Sequence, residues 1–296
     1  MAHICPHCKL ESISSESRNL VVSNGSFVRK SDSKKLRRFL CRSCGKSFSE
    51  STCTPCFGQK KRHLNPQIFL FMTSGVAQRR IAKLLRINRK TVVRKFIFLG
   101  ICALTVLNDD NKNYPPVTEA VFDDLETFEH SKMKPLSVIM MSDSNSRRIL
   151  GFRVASMPAK GHLAKAAVRK YGPRFDERPR ARRALFESLT PFIAEKAIIK
   201  SDSSAHYPED VKKYFPGATH FTFKGRRSCV VGQGELKAGG FDPLFTVNHN
   251  FAMTRANINR LFRRTWNTTK KKDRLNLHLA IYTLYHNWYL IHNPAR

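Results

Sequence analysis

Three C-x-x-C pairs crowd into the first 56 residues, Cys5/Cys8, Cys41/Cys44 and Cys53/Cys56, which together are six of the chain's 8 cysteines. A stretch this short cannot bury enough apolar surface to fold unaided, so its cysteines decide what it can become. A C-x-x-C turn presents two thiolates to one tetrahedral Zn²⁺, and two such knuckles complete a Cys₄ structural site that contributes folding free energy directly. CPHC and CRSCG read as the two knuckles, making Cys5, Cys8, Cys41 and Cys44 the expected zinc ligands. Between them, LVVSNGSFVRK (20–30) reads as a hairpin turning at Asn24-Gly25, and RRFLCRSCGKSF brings a further strand into the second knuckle. The expectation is a small zinc ribbon over residues 1–60. CTPC reads as a loop, with a second metal shared with His3, His7 or His63 as the alternative. A redox pair would need a thioredoxin-like βαβ setting, which is absent.

Charge narrows the partner. Lys and Arg number 53 against 22 Asp and Glu, a formal charge of +31 with a pI near 10.3. An excess this large points to a polyanion, nucleic acid first. It is not confined to a tail, since residues 1–110 hold 21 basic and 6 acidic residues and the remainder hold 32 and 16. Hydrophobic residues at 41%, 21 of them Phe, exclude wholesale disorder. The opening Met1-Ala2-His3-Ile4-Cys5 lacks the apolar stretch of a secretory signal. The longest apolar run, Phe96 to Leu107, has 12 residues where a bilayer span needs about 20. The expectation is a cytoplasmic, nucleoid-associated protein with no membrane partner.

Residues 61–105 read as a helix-turn-helix domain. Pro66 suits the first turn of a helix PQIFLFMTSG that stops at Gly75. VAQRRIAKLLRI sets Val76, Ile81, Leu84 and Leu85 on one face and Arg79, Arg80, Lys83 and Arg86 on the other. After a turn at Ile87-Asn88-Arg89, KTVVRKFIFL buries Val92, Val93, Phe96 and Ile97. Helix, short turn, basic amphipathic helix is the DNA-reading arrangement, and it directs Arg89, Lys90, Thr91, Arg94 and Lys95 at the groove or its phosphates. VLNDDNKNYPPV (106–117) is polar and proline-bearing and reads as a linker.

From residue 118 the pattern runs strands first, helices later. TEAVFDDLETFE is a strand, and PLSVIMMSD with RRILGFRVASM forms a hairpin around Asp143 to Ser146. Helices are expected over 158–170, 180–195, 208–215, 249–266 and 274–291, with strands AIIKSD and ATHFTF among them. The order βββ-α-β-α-β-α-α is that of an RNase H-like fold. The fold class expected for the whole chain is therefore multidomain α+β: zinc ribbon, helix-turn-helix, then an RNase H-like α/β domain with a mixed sheet over 118–296.

The stretches CPHC…CRSCGKSF, FDDLETFEHSKMKPLS, ILGFRVASMPAKGH, SDSSAHYP and VNHNFAMTRANINRLFRRTWNTTKK resemble insertion-sequence transposases of the DDE type, related to the insertion sequence one group. The resemblance covers nearly the whole chain. It implies metal-dependent DNA cleavage and strand transfer, with acids on the first and fourth strands and a third ligand opening a late helix. Those positions are Asp123, Asp202 and Asn248, which would hold Mg²⁺ or Mn²⁺. Two such ions about 4 Å apart activate a water or 3′-OH and stabilise the leaving oxygen. Most such enzymes carry Glu at the third position. Asn is a legitimate though neutral oxygen ligand, and Glu235, in the Gly-rich loop GQGELKAGGFDP, is its rival. Asp124, Glu126 and Glu129 read as partners of nearby Lys and Arg. Mg²⁺ prefers oxygen, so His206 and His249 are not assigned. Arg255, Arg260, Arg263, Arg264 and Lys270 to Lys272 form a basic band suited to substrate phosphates, and IYTLYHNWYL (281–290) reads as core. Double-stranded DNA and a homo-oligomer, at least a dimer on DNA, are the implied partners. A DNA-binding regulator with a dead catalytic fold is the alternative.

Overall fold

The computed structural model describes residues 4–8, 20–30, 32–224, 242–262 and 267–291. It is a mixed α+β chain dividing into two compact units at 67/68. The helices expected between residues 76 and 105 lie in the second unit.

In the first unit β1 (Val21–Arg29), β2 (Lys34–Cys41) and β3 (Ser47–Ser49) form an antiparallel sheet in that order. Asn24-Gly25 is not the hairpin turn. Ser23 pairs with Phe39 and Ser26 with Arg37, so the two residues sit as a bulge inside one continuous strand, with Gly25 at φ 74°. A bulge uses the same positive φ as a tight turn, which is why the dipeptide misleads. The true turn follows Arg29, whose carbonyl accepts the Ser33 N–H at 2.9 Å. Phe39 and Phe48, with ring centroids 5.5 Å apart, form with Cys5 and Cys41 a small buried cluster.

The second unit is built on a five-stranded sheet ordered β6-β5-β4-β7-β8. Strands β4 (Val117–Phe128), β5 (Pro135–Asp143) and β6 (Ile149–Ser156) form an antiparallel meander, while β7 (Ile193–Asp202) runs parallel to β4 and β8 (Thr219–Phe223) parallel to β7. Even-numbered residues of β4 face one layer: Phe122 meets Phe186 at 4.9 Å and Tyr207 at 4.8 Å between ring centroids. That layer comprises α5 (Arg178–Leu189) and α6 (Tyr207–Tyr214); α4 (Leu163–Tyr171) precedes it in the chain. The buried Arg182–Asp210 ion pair joins α5 to α6, Nε to Oδ2 at 2.8 Å. The opposite face is crossed by α7 (Phe245–Asn257), followed in the chain by α8 (Lys272–Tyr285) and a π-helical turn (His286–Ile291). The first of the late helices thus starts earlier and ends earlier than 249–266, while α8 with its π-helical turn covers 274–291.

The helix α1 (Asn65–Thr73) includes the 67/68 division, and α2 (Gln78–Leu84) and α3 (Arg89–Asp110) follow it in the second unit. Leu84, placed on the buried face of its helix by periodicity, is 51% exposed. The third helix does not end before the expected linker. It runs on to Asp110 and a 3₁₀ turn (Asn111–Asn113), which makes Asp110 and Asn111 structural, while Asp109 and Lys112 stay exposed. Asp110, Asn111 and Arg148 are all buried. Arg148 donates to Asn111 Oδ1 at 2.9 Å, lies 3.7 Å from Asp110 and covers the Tyr114 ring, while Asn111 Nδ2 donates to the Leu150 carbonyl at 2.9 Å. Trp288 Nε1 donates to Asp110 Oδ1 at 3.1 Å.

With its 3₁₀ turn this helix spans 25 residues and is, by length and composition alone, long and apolar enough to cross a bilayer. The 12-residue run counted from sequence understates it. In the fold Val92, Phe96, Gly100 and Ala103 are buried, and α3 packs along α8 so closely that a Cβ on Gly100 would come within 2.6 Å of Leu277 Cβ. His278 of α8 is fully buried against Phe96 at 5.5 Å and bonds the Met72 carbonyl at 2.9 Å.

Candidate functional site

In the first unit the ligand atoms of Cys5, Cys8, Cys41 and Cys44 all lie within 4.8 Å of one another. Cys5 Sγ is 3.6 Å from Cys44 Sγ and Cys8 Sγ 3.7 Å from Cys41 Sγ. Sulfurs meet this closely without disulfides when they share one cation, and four thiolates are the donor set that Zn²⁺ takes in closed tetrahedral sites. Burial pushes the Cys5 thiol up, but the N–H groups of Cys8 and His7 and the neighbouring thiols outweigh it, leaving it lowered to about 6. At Cys44 the Lys46 N–H pulls down, while burial and the Cys41 and Cys5 thiols hold it above the ordinary value. The four cysteines could hold a metal such as zinc. Cys53 and Cys56 belong to no such cluster among the described residues; Cys56 Sγ instead accepts from Asn65 Nδ2 at 3.7 Å. His3, one alternative partner for them, lies outside the described residues.

In the second unit Asp123 lies on β4 and Asp202 ends β7. The last paired residues of these strands, Val121 and Lys200, are each two positions earlier, so both carboxylates fall on the same face at the same level. That face of β7 is the open one: Ala197, Ile199 and Ser201 are buried, whereas Ile198 is exposed and Lys200 and Asp202 are half-buried. The two acids bear on a third group, since the Tyr207 hydroxyl is raised far above its ordinary value by burial and by the charges of Asp124, Asp123 and Asp202. Asp202 Oδ1 accepts the Ser204 N–H at 3.1 Å, and Asp123 Oδ1 accepts the Asp124 N–H at 2.7 Å.

Asn248 stands in the first turn of α7, the helix that crosses β4 and β5. Its Nδ2 donates to Asp242 Oδ2 at 2.9 Å, which leaves the amide oxygen as the atom offered to a cation. Asp242 also closes the turn before the helix, its Oδ1 accepting the Leu244 N–H at 2.9 Å. The sequence reading missed Asp242, although an acid just before a helix is a start signal. Two carboxylates and an amide oxygen are hard donors of the kind Mg²⁺ takes, so the residues fit such an ion by chemistry. Among the described residues they form no cluster of three acidic, His or Cys ligands; the four cysteines are the one such group. Glu235 lies outside the described residues, as do Arg263 and Arg264.

The neighbouring acids separate. Glu126 pairs with Lys160 at 2.7 Å and Glu129 with Lys134 at 3.1 Å. Asp124 behaves differently from the expected ion pairing. It points into the α5–α6 layer, where burial raises its carboxyl despite the Ser137 hydroxyl and the charges of Arg182 and Arg178. His206 is exposed, immediately before α6, and His249 stacks on Phe245 at 5.6 Å.

Of the residues expected to meet DNA, Arg89, Lys90 and Arg94 are exposed and Thr91 is half-buried. Asn88 caps α3 by accepting the Lys90 N–H at 2.8 Å, which sets Arg89 and Lys90 at the helix start. Lys95 is a correction: it is only 3% exposed, because it falls beside Val92 and Phe96 on the packed side of the helix. Arg255 and Arg260 are half-buried, Lys270 and Lys271 are exposed, and Lys272 pairs with Glu177 at 2.7 Å. Tyr282 and His286, within the aromatic stretch expected to be core, are buried, but Trp288 and Tyr289 are 44% and 49% exposed.

No protein-family model matches this chain, and no curated protein matches it.

Proposed function

We propose that the chain is a DDE-type transposase of a prokaryotic insertion sequence, with Asn in the third position, that binds the ends of its element and catalyses DNA strand cleavage and strand transfer. The observation that carries this reading is the pair Asp123 and Asp202, level with each other on adjacent parallel strands and on the face that β7 leaves open. The strand order β6-β5-β4-β7-β8, with three antiparallel strands and two parallel ones, supports an RNase H-like assignment for the second unit. The Cys₄ group on a three-stranded sheet supports a zinc ribbon, and α2 and α3 with exposed Arg89, Lys90 and Arg94 support a helix-turn-helix. The +31 charge suits a double-stranded DNA partner.

In this reading Asp123 and Asp202 hold the catalytic metal through their carboxylates and Asn248 through its amide oxygen. Mg²⁺ bound there supplies Lewis-acid activation of the attacking water or 3′-OH and stabilises the leaving oxygen. Asp242 fixes the amide so that its oxygen, not its nitrogen, faces the ion. Pairing two element ends requires at least a dimer on DNA, and the protein works in the cytoplasm on the nucleoid. The test is strand cleavage and joining on DNA from the borders of the element that encodes the chain, in Mg²⁺ or Mn²⁺. Joined product is expected from the native chain and none from Asp202→Ala. The neutral third position keeps one second reading in view, a DNA-binding regulator; end-specific binding without cleavage in either metal selects it and sinks the enzyme.

A further inference from the structure

A cleft of about 1130 Å³ opens in the second unit where α2 and the start of α3 meet the segments flanking the α7–α8 connection. From the first side it is lined by Arg79, Arg80, Lys83 and Arg89. From the second it is lined by Arg260, Lys270, Lys271 and Arg274. None of its lining residues is acidic. A basic helix face is ordinarily a solvated surface whose charges contribute little. Here two segments far apart in sequence bring like charges into one concavity, where their potentials add and mutual repulsion goes uncompensated.

Arg260 provides a second, independent observation. Its Nε is buried with no hydrogen-bond partner among the described residues, and its guanidinium lies 5.3 Å from the Phe96 ring centroid. Burial, then the charge of Arg274, lowers it to about 10. His278, beside it, is neutral and offers no counter-charge. A half-buried guanidinium with an enclosed, unpartnered Nε and other cations facing it is costly to fold around, and an anion seated in the cleft relieves that cost.

We propose that this cleft binds the phosphodiester backbone of a DNA strand, with Arg260 as its half-buried anchor and the exposed cations of both segments gripping consecutive phosphates. The cleft thereby ties the DNA-reading helices to the α7–α8 region through one continuous run of backbone. The proposal rests on the reading of the chain as a DNA-acting enzyme, but it is tested by binding alone. Loss of cleavage with cleft binding intact overturns only the enzyme.

The measurement is fluorescence anisotropy of the full chain in Mg²⁺-free buffer, with a labelled duplex of unrelated sequence and with each of its single strands, across a salt series. Arg79→Glu/Arg80→Glu changes one side of the cleft and Lys270→Glu/Lys271→Glu the other; all four positions are exposed, so folding is not at stake. Each double variant is expected to weaken binding to the duplex by about tenfold or more and to reduce the slope of log K against log salt by about 2. Lys212→Glu/Lys213→Glu, an exposed pair on α6 outside the cleft, reverses the same charge and is expected to change affinity by less than about threefold. A backbone track predicts that single strands respond to the cleft variants in the same order as the duplex. If the Lys270/Lys271 variant binds like the native chain, or if the α6 control loses as much as the cleft variants, the cleft is not the binding track.

Discussion

His278 shows what burial does to a single titratable side chain. It is wholly enclosed, its Nε2 held by the Met72 carbonyl and its ring against Phe96, and burial followed by the Arg260 charge lowers its pKa from 6.5 to about 3. The unfolded chain therefore takes up a proton near pH 6.5 that the folded chain refuses. The stability this neutral His preserves is complete above pH 6.5 and is lost as pH falls toward 3, at ~1.4 kcal/mol per pH unit for this one group. His220, His249 and His286 are lowered too, all chiefly by burial, and act in the same direction. Urea unfolding of the native chain at pH 7 and pH 5 is expected to give a lower midpoint at pH 5, with a smaller difference in His278→Gln. An unchanged midpoint would place a counter-charge beside the imidazole that the structure does not have.

At the scale of elements, the end of α3 is the instructive case. Read for composition, residues 106–117 are a linker, and a substitution there would be nearly neutral. In the fold, Asp110 and Asn111 enter a buried network with Arg148, Tyr114 and Trp288 that fastens the helix to β6 and to the π-helical turn. Removing the carboxylate strands a buried guanidinium, so Asp110→Ala is expected to cost about 3 kcal/mol in denaturant unfolding. A cost under about 0.5 kcal/mol would return these residues to a solvated surface. The bulge at Asn24-Gly25 and the misplaced Lys95 have a related origin. Local chemistry specified a positive φ and a helix in those places, but not which strand partner or which helix face the tertiary contacts would take.

Across the whole molecule, the two units are stabilised by different means. The first has a core of a few residues gathered around four cysteines, and the second has a sheet with helices packed on its layers. Metal removal should therefore separate them. Treatment with a strong zinc chelator, or Cys41→Ser, is expected to abolish the structure of the first unit while the second keeps its unfolding transition. Circular dichroism with limited proteolysis reads this directly. A chelated chain that stays protected over residues 20–50 would show that the sulfur cluster does not hold a structural metal.

Much was legible in the residues themselves. The spacing of Cys5, Cys8, Cys41 and Cys44 chose the sulfur cluster, because a C-x-x-C turn leaves two thiolates little else to do than converge. Alternation and turn residues placed the strands of the meander, whereas Asp123 and Asp202 were singled out by the resemblance to DDE transposases and not by periodicity. Other features required the chain to close. Whether Asp123 and Asp202 stand level depends on the register of β4 against β7, which joins residues about eighty positions apart and leaves no local trace. The same holds for the cleft: eight cations scattered over nearly 200 positions become one concavity only when α3 packs along α8. Sequence determined the short-range chemistry, whose groups lie within a turn or a strand of each other. Tertiary structure decided everything that depends on long-range pairing and burial, because those are properties of which distant surfaces exclude water together.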